Sequence, residues 1–548
     1  MRASLVAVAL LLVAAGSHDA QAAPRPWHIT KTEWTKADEK GFGDFVRAIA
    51  MSGCQTAVSC MRGTGNPYRD SDPAGVDFRA DCAKWVYMLR AYYASKNGLP
   101  FSYVDEISGD AADLRFSATA NRAVSRRDLV DNGAGIPVAA SLKDIHNKVW
   151  SATYRMEASA DGPVIPDFYS PKIARGAIHA GTAIYDINGH VGIVYDVTED
   201  GRILYMDAHP DETVSRSVYG PQFGQSPARL GGGFKNFRPL KLVGATAGPN
   251  GALVGGHVVL APNNAIADFS LEQYRGNIAG LAGDGPDAAF RYGNTPLGFF
   301  EYVRTSMSGG AFALNPVYEL KTAMQSLCHV VKERAIHVDM AIDNGIDKKR
   351  QPSHIAGNTA ESDDAEWDAY ATSAADARLR NSVAQLHGDL VKIVALWQHH
   401  DLNIAYDGAS LQEALQQTYD AEAQSCRLTY VSSDRKPVTL GLDQILSRLS
   451  VIDFDPYHCI ERRWGATAAQ ELSSCKDDAI KTRWYEAEQT LRNQAEAGYQ
   501  AHPAYALGEL ENGPRANGAD EALPFDLKAL IDGMGYQSFA DAARPAGH

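Results

Sequence analysis

The sequence predicts an α+β fold. In the first half of the chain a helix bearing a cysteine packs on an antiparallel sheet, and a mostly α-helical domain follows. Residues 82–97 have apolar side chains at helical spacing, and residues 182–207 alternate like three consecutive strands joined by Asn-Gly and Asp-Gly turns. Beyond residue 315, apolar residues recur at three- and four-residue steps, which is typical of amphipathic helices.

Four regions follow from composition and pattern. The 548 residues are 45% hydrophobic, enough for a sizeable core in two or three domains. Residues 1–23 combine a basic start, a short apolar run and an Ala-Gln-Ala-Ala end, which predicts a cleaved signal peptide. Residues 24–243 form the first predicted domain, with an insertion at about 104–171. Residues 244–295 predict a linker or irregular subdomain, and residues 296–548 predict a helical accessory domain.

The signal pattern predicts a secreted or periplasmic protein of bacterial type. No later segment has the length and apolar character of a transmembrane helix. The net charge of −14 disfavours nucleic acid as a partner, because binding to phosphates favours a basic surface.

The helical region has a clear predicted start, since Asn315 is a good cap and Pro316 suits the first helical position. Polar residues 345–364 predict a loop. The three apolar stripes are Val317, Leu320, Met324, Leu327, Val331, Val338 and Ile342; then Leu379, Val383, Leu386, Leu390, Ile393 and Trp397; then Ile480, Trp484, Ala487 and Leu491.

Seven cysteines in an exported chain predict disulfides and one cysteine left over. Locality favours two pairs, and keeping Cys82 free leaves a third, although the sequence alone does not fix the connectivity. The pairs are Cys54 with Cys60, Cys459 with Cys475, and Cys328 with Cys426.

The remaining cysteine, Cys82, is the candidate nucleophile. It follows Asp81, a good helix cap, at the start of the helical pattern. The unpaired N–H groups and the dipole at a helix N-terminus favour a thiolate there. The alternative is a structural thiol, or a disulfide that involves Cys82 and leaves another cysteine out.

The three predicted strands supply a candidate base. They span residues 182–187, 190–197 and 202–206. If the second turn is tight, Val194 faces Asp207 and Gly192 faces His209. His190, Asp207 and His209 should then share one sheet face, opposite the thiol. A cysteine, a histidine base and an orienting acceptor form a nucleophilic site.

Four short segments resemble the NlpC-type bacterial cell-wall cysteine peptidases, a papain-like family. They are Gly65-Asn66-Pro67-Tyr68, Asp81-Cys82, Gly189-His190-Val191-Gly192-Ile193-Val194 and Tyr205-Met206-Asp207-Ala208. The resemblance covers roughly residues 60–210. It implies that Cys82 is the nucleophile, His190 the base and Asp207 the orienting residue. It also implies that Tyr68 helps to line the site and its oxyanion region.

The chain departs from the family pattern at several positions. Ala83-Lys84 follows the cysteine where the family has Ser-Gly, and Asp70-Ser71 replaces Gly-Gly. Asp207 occupies a position that is commonly histidine, so His209 is the alternative orienting residue. The other alternative is that Asp207 or His209 is an ordinary polar residue at the end of a strand, without a catalytic role.

The expected function is a secreted cysteine hydrolase that cleaves an amide bond, with a peptide or peptidoglycan as substrate. Two alternatives stay open: a transglutaminase-like acyl transferase with a similar Cys-His-Asp set, and a non-catalytic binding module of the same fold. The acidic and histidine-containing segments lack metal-ligand spacing, so neither a metal nor a cofactor is predicted.

Overall fold

The fold is described from a computed structural model that covers residues 26–534 with internal gaps. The gaps are residues 74, 111–113, 118, 188, 210–211, 221–222, 282, 311–312, 357–364, 400–402, 492–503 and 513–525. The predicted signal peptide at residues 1–23 and Asn188 of the predicted Asn-Gly turn lie outside the described residues.

The first half of the chain alternates helices with short strands. Its helices are α1 (Lys36–Met51), α2 (Ala57–Arg62), α3 (Cys82–Asn97), α4 (Val138–Lys148) and α5 (Glu272–Arg275). Its strands are β1 (Phe101–Ser108), β2 (Arg122–Leu129), β3 (Phe168–Tyr169), β4 (Ala183–Tyr185), β5 (Val191–Val197), β6 (Ile203–Ala208), β7 (Val214–Val218), β8 (Gly233–Phe237), β9 (Leu240–Val243), β10 (Thr246–Ala247), β11 (Leu253–Val254), β12 (His257–Leu260), β13 (Phe290–Tyr292) and β14 (Thr295–Leu297).

The second half is mainly helical. Its helices are α6 (Phe299–Met307), α7 (Pro316–Asp343), α8 (Ala365–Tyr370), α9 (Ser373–Gln398), α10 (Leu411–Ser425), α11 (Leu442–Ser447), α12 (Ile460–Arg463), α13 (Ala469–Leu472), α14 (Ala479–Ala487), α15 (Leu507–Asn512) and α16 (Leu527–Asp532). Its strands are β15 (His354–Ala356), β16 (Arg427–Val431), β17 (Pro437–Gly441) and β18 (Ala504–Ala506).

A six-stranded antiparallel sheet, in the order β3-β8-β4-β5-β6-β7, is the centre of the first half. One face packs on α1 and α3 through side chains such as Val191, Ile193 and Met206. The other face, which includes Val194 and Tyr205, packs on α6 and its surroundings. Helix α3 is buried along most of its length, so it is a core element of this half.

The register of the central hairpin corrects the predicted one. Val194 pairs with Tyr205, where the sequence predicted Asp207. Next to the turn Val197 pairs with Ile203, which is already one residue away from the predicted register, and a bulge between Val194 and Asp196 adds a second residue. Because the shift is two residues, alternation still puts His190 and Asp207 on the same face.

The predicted insertion at 104–171 is packed into the core. It contains most of the β1–β2 pair, helix α4 and a 3₁₀ turn at Ser151–Tyr154. The Tyr154 hydroxyl donates to the carbonyl oxygen of Ala83, 2.8 Å away. Asp167 accepts from the Tyr87 hydroxyl at 2.7 Å, which ties the end of this segment to α3.

The segment at 244–295 consists of short strands and turns attached to the first half. Strand β12 pairs with β9. Gln273, at the centre of α5, accepts from the backbone N–H of Phe234 in the sheet at 2.8 Å. The segment at 244–295 is therefore irregular, and it packs on the first half of the chain.

The helical region has its own core of buried side chains from α7, α9, α10 and α11. Asn315 caps α7 by accepting from the backbone N–H of Tyr318 at 3.1 Å, as its sequence position predicts. The first two apolar stripes lie on α7 and α9, and the third begins on α14. In the predicted loop at 345–364, the described part holds a 3₁₀ turn and β15, and residues 357–364 lie outside the described chain.

The three disulfides match the predicted pairing. They join Cys54 to Cys60, Cys328 to Cys426, and Cys459 to Cys475. Disulfides of this kind are compatible with a secreted protein. Among the described residues, no helix combines the length and apolar character needed to cross a bilayer.

Candidate functional site: a thiol beside a histidine–aspartate hairpin

Cys82 is the first residue of α3 and the one cysteine outside the three disulfides. Asp81 caps the helix, because its carboxylate accepts from the backbone N–H of Lys84 at 3.0 Å and also pairs with the Lys84 ammonium. The Cys82 residue is only 2% exposed. The local sequence therefore fixes the thiol at a helix N-terminus, where a negative charge is favoured.

The turn between β4 and β5 lies beside the Cys82 thiol. The backbone N–H of Gly189 donates to the carbonyl of Asp186 at 2.9 Å, and Gly189 has a φ of +100°, which favours glycine. The Cys82 Sγ lies 3.9 Å from the Gly189 carbonyl oxygen. Since His190 follows directly, the sequence-predicted nucleophile and base are adjacent to the same turn.

His190 is held by a carboxylate. Its Nε2 lies 2.6 Å from Oδ2 of Asp207, which is 1% exposed. An ionised carboxylate only accepts hydrogen bonds, so this contact assigns the proton to Nε2. The lone pair of a neutral His190 is then on Nδ1, the nitrogen available to act as a base.

Asp207 has two further polar neighbours. The Ser215 hydroxyl donates to Oδ1, and His209 Nε2 lies 3.6 Å from the same oxygen. The rings of His190 and His209 are parallel within 2°, with centroids 5.5 Å apart. Burial alone would raise the pKa of Asp207, but the charge of His209 and the hydrogen bond with His190 outweigh it and hold the pKa well below its usual value.

The polar cluster and α3 do not share a face of the sheet. Alternation places Asp207 on the face of Tyr205, whereas α3 packs against the face of Val191 and Met206. The expected arrangement, with the thiol directly opposite the polar face, is therefore corrected. The thiol contacts the hairpin turn at the end of the sheet, at the residue before His190.

Tyr68 is not brought to this place. Its hydroxyl lies 3.2 Å from Nδ2 of Asn97, at the last residue of α3, and its ring packs near Phe45 and Tyr92. Asn97 lies fifteen positions after Cys82 in α3, which is roughly 22 Å along the helix axis. The predicted part of Tyr68 in the oxyanion region is therefore wrong, and its role is packing.

Two neighbours of the site were missed by the sequence analysis. Ser215 pairs with Asp207 across β6 and β7, and the alternation in residues 214–218 could have revealed that strand. His146 lies near the start of α3; burial lowers its pKa, and the nearby Lys84 ammonium adds to this. A surface pocket is lined by Lys84 and residues 146–150. No local motif in the sequence predicts that residues 146–150 of the predicted insertion lie near the start of α3.

The cluster could also bind a cation, because ligand atoms of His190, Asp207 and His209 lie within 4.8 Å of one another. The hydrogen bond between His190 and Asp207 already accounts for the shortest of these distances.

Comparison of the chain with protein-family models, with curated proteins and with solved structures gave no match.

Proposed function

We propose that the protein is a cysteine hydrolase that cleaves an amide bond. The observation that carries the proposal is the contact of the Cys82 thiol with the turn that presents His190, together with the buried carboxylate on that histidine. The NlpC-type resemblance of the segments around these residues supports a peptide of peptidoglycan as the substrate. Export of the chain would bring the enzyme to that substrate.

The chemistry requires four steps. His190 Nδ1 takes the proton from Cys82 Sγ, and the thiolate attacks the carbonyl carbon of the amide. The protonated His190 gives its proton to the leaving amine as the C–N bond breaks, which leaves a thioester on Cys82. Water, deprotonated by His190, then attacks the thioester, and release of the acid restores the thiol. Asp207 keeps the Nε2 proton in place throughout.

Access to the thiol sets a geometric requirement. Cys82 is 2% exposed, whereas the His190 side chain is 30% exposed. Substrate must therefore approach from the side of His190. The imidazole must come within hydrogen-bond distance of Sγ when substrate is bound, as catalytic contacts often tighten only in the complex.

The direct test is mass spectrometry of peptidoglycan fragments after incubation with the mature protein. We expect new carboxyl and amino termini with the wild type. Cys82→Ala and His190→Ala should each abolish them while the circular dichroism spectrum is retained. The double variant should lose little more than either single variant, because the two residues act as a unit. Near-wild-type turnover by Cys82→Ala would exclude the thiol mechanism.

Acyl transfer is the second candidate, and the carboxylate on His190 favours it because transglutaminase-like proteins use a similar Cys-His-Asp set. The same incubation with an added primary amine separates the two. A hydrolase releases the free acid, whereas a transferase gives an amide of the added amine. Unchanged fragments in both reactions, with a thiol no more reactive than a peptide thiol, would favour the non-catalytic binding module.

A further inference from the structure

A cleft lies at the junction between the central sheet and the helical region. Its volume is about 260 Å³, just below the range of about 300–1,000 Å³ that is typical of small-molecule sites. Side chains from β6, β7, α6, α7 and α9 line it, so both halves of the chain contribute to its walls. The cleft therefore has room for a compact organic molecule, which sets the size of its ligand.

The walls of the cleft are mostly apolar. Ile203 and Val303 belong to the buried apolar cluster on the sheet side of the cleft. Leu320, Leu386 and Leu390 belong to the core of the helical region. Walls of this kind favour a ligand with a hydrocarbon body, because the transfer of apolar surface from water to an apolar environment is favourable.

The cationic side chains that line the cleft already have carboxylate partners. The ion pairs join Arg304 to Glu319 at 2.6 Å and to Asp200 at 3.3 Å, Arg202 to Asp200 at 2.8 Å, and Lys392 to Glu301. A ligand anion would have to displace a carboxylate that is already in place. The charge distribution of the cleft therefore does not favour anionic ligands.

The Asp389 carboxylate differs from the other charged groups of the cleft. It lines the cleft at an exposed position of α9, and in the described part of the chain it is the one charged lining residue without an ion pair. Protein on the other sides of this carboxylate excludes water, and this effect, with the charge of Glu319, raises the pKa of Asp389 to about 6. The charges of Lys392 and Arg304 and the amide of Gln385 offset the rise in pKa only in part. At neutral pH Asp389 is therefore mostly ionised, and its charge is poorly compensated.

We propose that the cleft binds a small primary amine in its ammonium form, with the ammonium on the Asp389 carboxylate and the hydrocarbon part against the leucines of α7 and α9. An ammonium group donates hydrogen bonds that an ionised carboxylate accepts, and charged pairs of this kind are the stronger ones. The ligand's charge also offsets the repulsion between Asp389 and Glu319. A free alkylamine and the amino terminus of a short peptide share this chemistry, and the experiment separates the two sources.

The cleft is separate from the thiol site, and its ligand does not depend on hydrolase activity. Ile203 lines the cleft at the start of β6, and Asp207 lies four residues further along that strand, which is roughly 13 Å. Strand β7 borders both places, since Ser217 lines the cleft and Ser215 donates to Asp207. A ligand in the cleft contacts both halves of the folded chain, so its binding should raise the melting temperature.

The experiment measures the affinity of the full mature chain for n-butylammonium, 1-butanol and methylammonium by ligand-detected NMR, beside the melting temperature. We expect n-butylammonium to bind roughly tenfold more tightly than either control, because butanol lacks the charge and methylammonium lacks the hydrocarbon body. A leucyl dipeptide amide that binds more tightly than n-butylammonium would assign the cleft to peptide amino termini, and weaker binding would assign it to free amines. Equal affinity for n-butylammonium and butanol, or no binding of either the amine or the dipeptide amide, would overturn the proposal.

Variants locate the bound ammonium. Asp389→Asn should weaken the binding of n-butylammonium roughly tenfold and leave the binding of butanol unchanged. The matched control is Asp339→Asn, since Asp339 is also an exposed carboxyl on a helix, with a pKa raised by partial burial and by Asp343, but it lies outside the cleft. Cys82→Ala should bind n-butylammonium like the wild type, so a failure of the hydrolase proposal would leave this test intact. Unchanged affinity in Asp389→Asn, or a loss of affinity in Asp339→Asn alone, would contradict the assignment.

Discussion

At the scale of single residues, Asp207 organises the polar cluster. It accepts from His190 at 2.6 Å and from Ser215, and it is buried. Asp207→Ala removes the acceptor that fixes the His190 tautomer, so turnover should fall by about 10²–10⁴-fold. His209→Ala leaves that hydrogen bond in place and should cost less. Initial rates on the same substrate rank the two variants, and the opposite order would give the orienting role to His209.

The depressed pKa of Asp207 predicts a pH dependence of stability. A carboxyl whose pKa is lower in the folded chain stabilises the fold above its unfolded pKa, and this contribution is lost as the pH falls through the folded pKa. The free energy of unfolding should therefore decline below about pH 4 more steeply for the wild type than for Asp207→Asn. Urea unfolding at several pH values measures this. Asp70→Asn, at an exposed carboxylate, should leave the profile unchanged.

At the scale of secondary-structure elements, the β4–β5 turn contacts the Cys82 thiol and is followed directly by His190. Gly189→Ala places a side chain at a φ of +100°, which costs roughly 1–2 kcal/mol and displaces the carbonyl near Sγ. Gly176→Ala is the matched control, because its φ is +89° and an added Cβ meets no atom within 4 Å. Both variants should lose similar stability in thermal melts, but only Gly189→Ala should lose turnover. Equal turnover would mean that the turn does not position the site.

The same elements show what the sequence could predict. Alternation and turn residues identified β5 and β6 to within two residues, because both signals are local. The register was wrong by two residues, because the turn between Val197 and Ile203 is one residue longer than the tight turn assumed and because the bulge between Val194 and Asp196 has no signal in the sequence. Tyr68 was misplaced for a related reason: a short motif fixes neither the direction of a side chain nor its distance from Cys82.

At the scale of the molecule, each face of the sheet and the helical region has a core of buried apolar side chains, and three disulfides cross-link the chain. The pairs Cys54–Cys60 and Cys459–Cys475 were predictable because their cysteines are close in sequence, and the third pair followed once Cys82 was set aside. The buried contacts of His458 with Asp453 and Glu488 were not predictable, because only the packing of α14 brings Glu488 near His458.

The measurement that tests the central claim most directly is the alkylation of the native, non-reduced protein by a small thiol reagent. It needs no substrate, and peptide mapping of the product identifies the modified cysteine. We predict modification at Cys82 alone, faster at neutral pH than for a peptide thiol, and a slower rate in His190→Ala because the base is lost. A Cys82 that reacts no faster than a peptide thiol, or at the same rate in His190→Ala, would contradict the account.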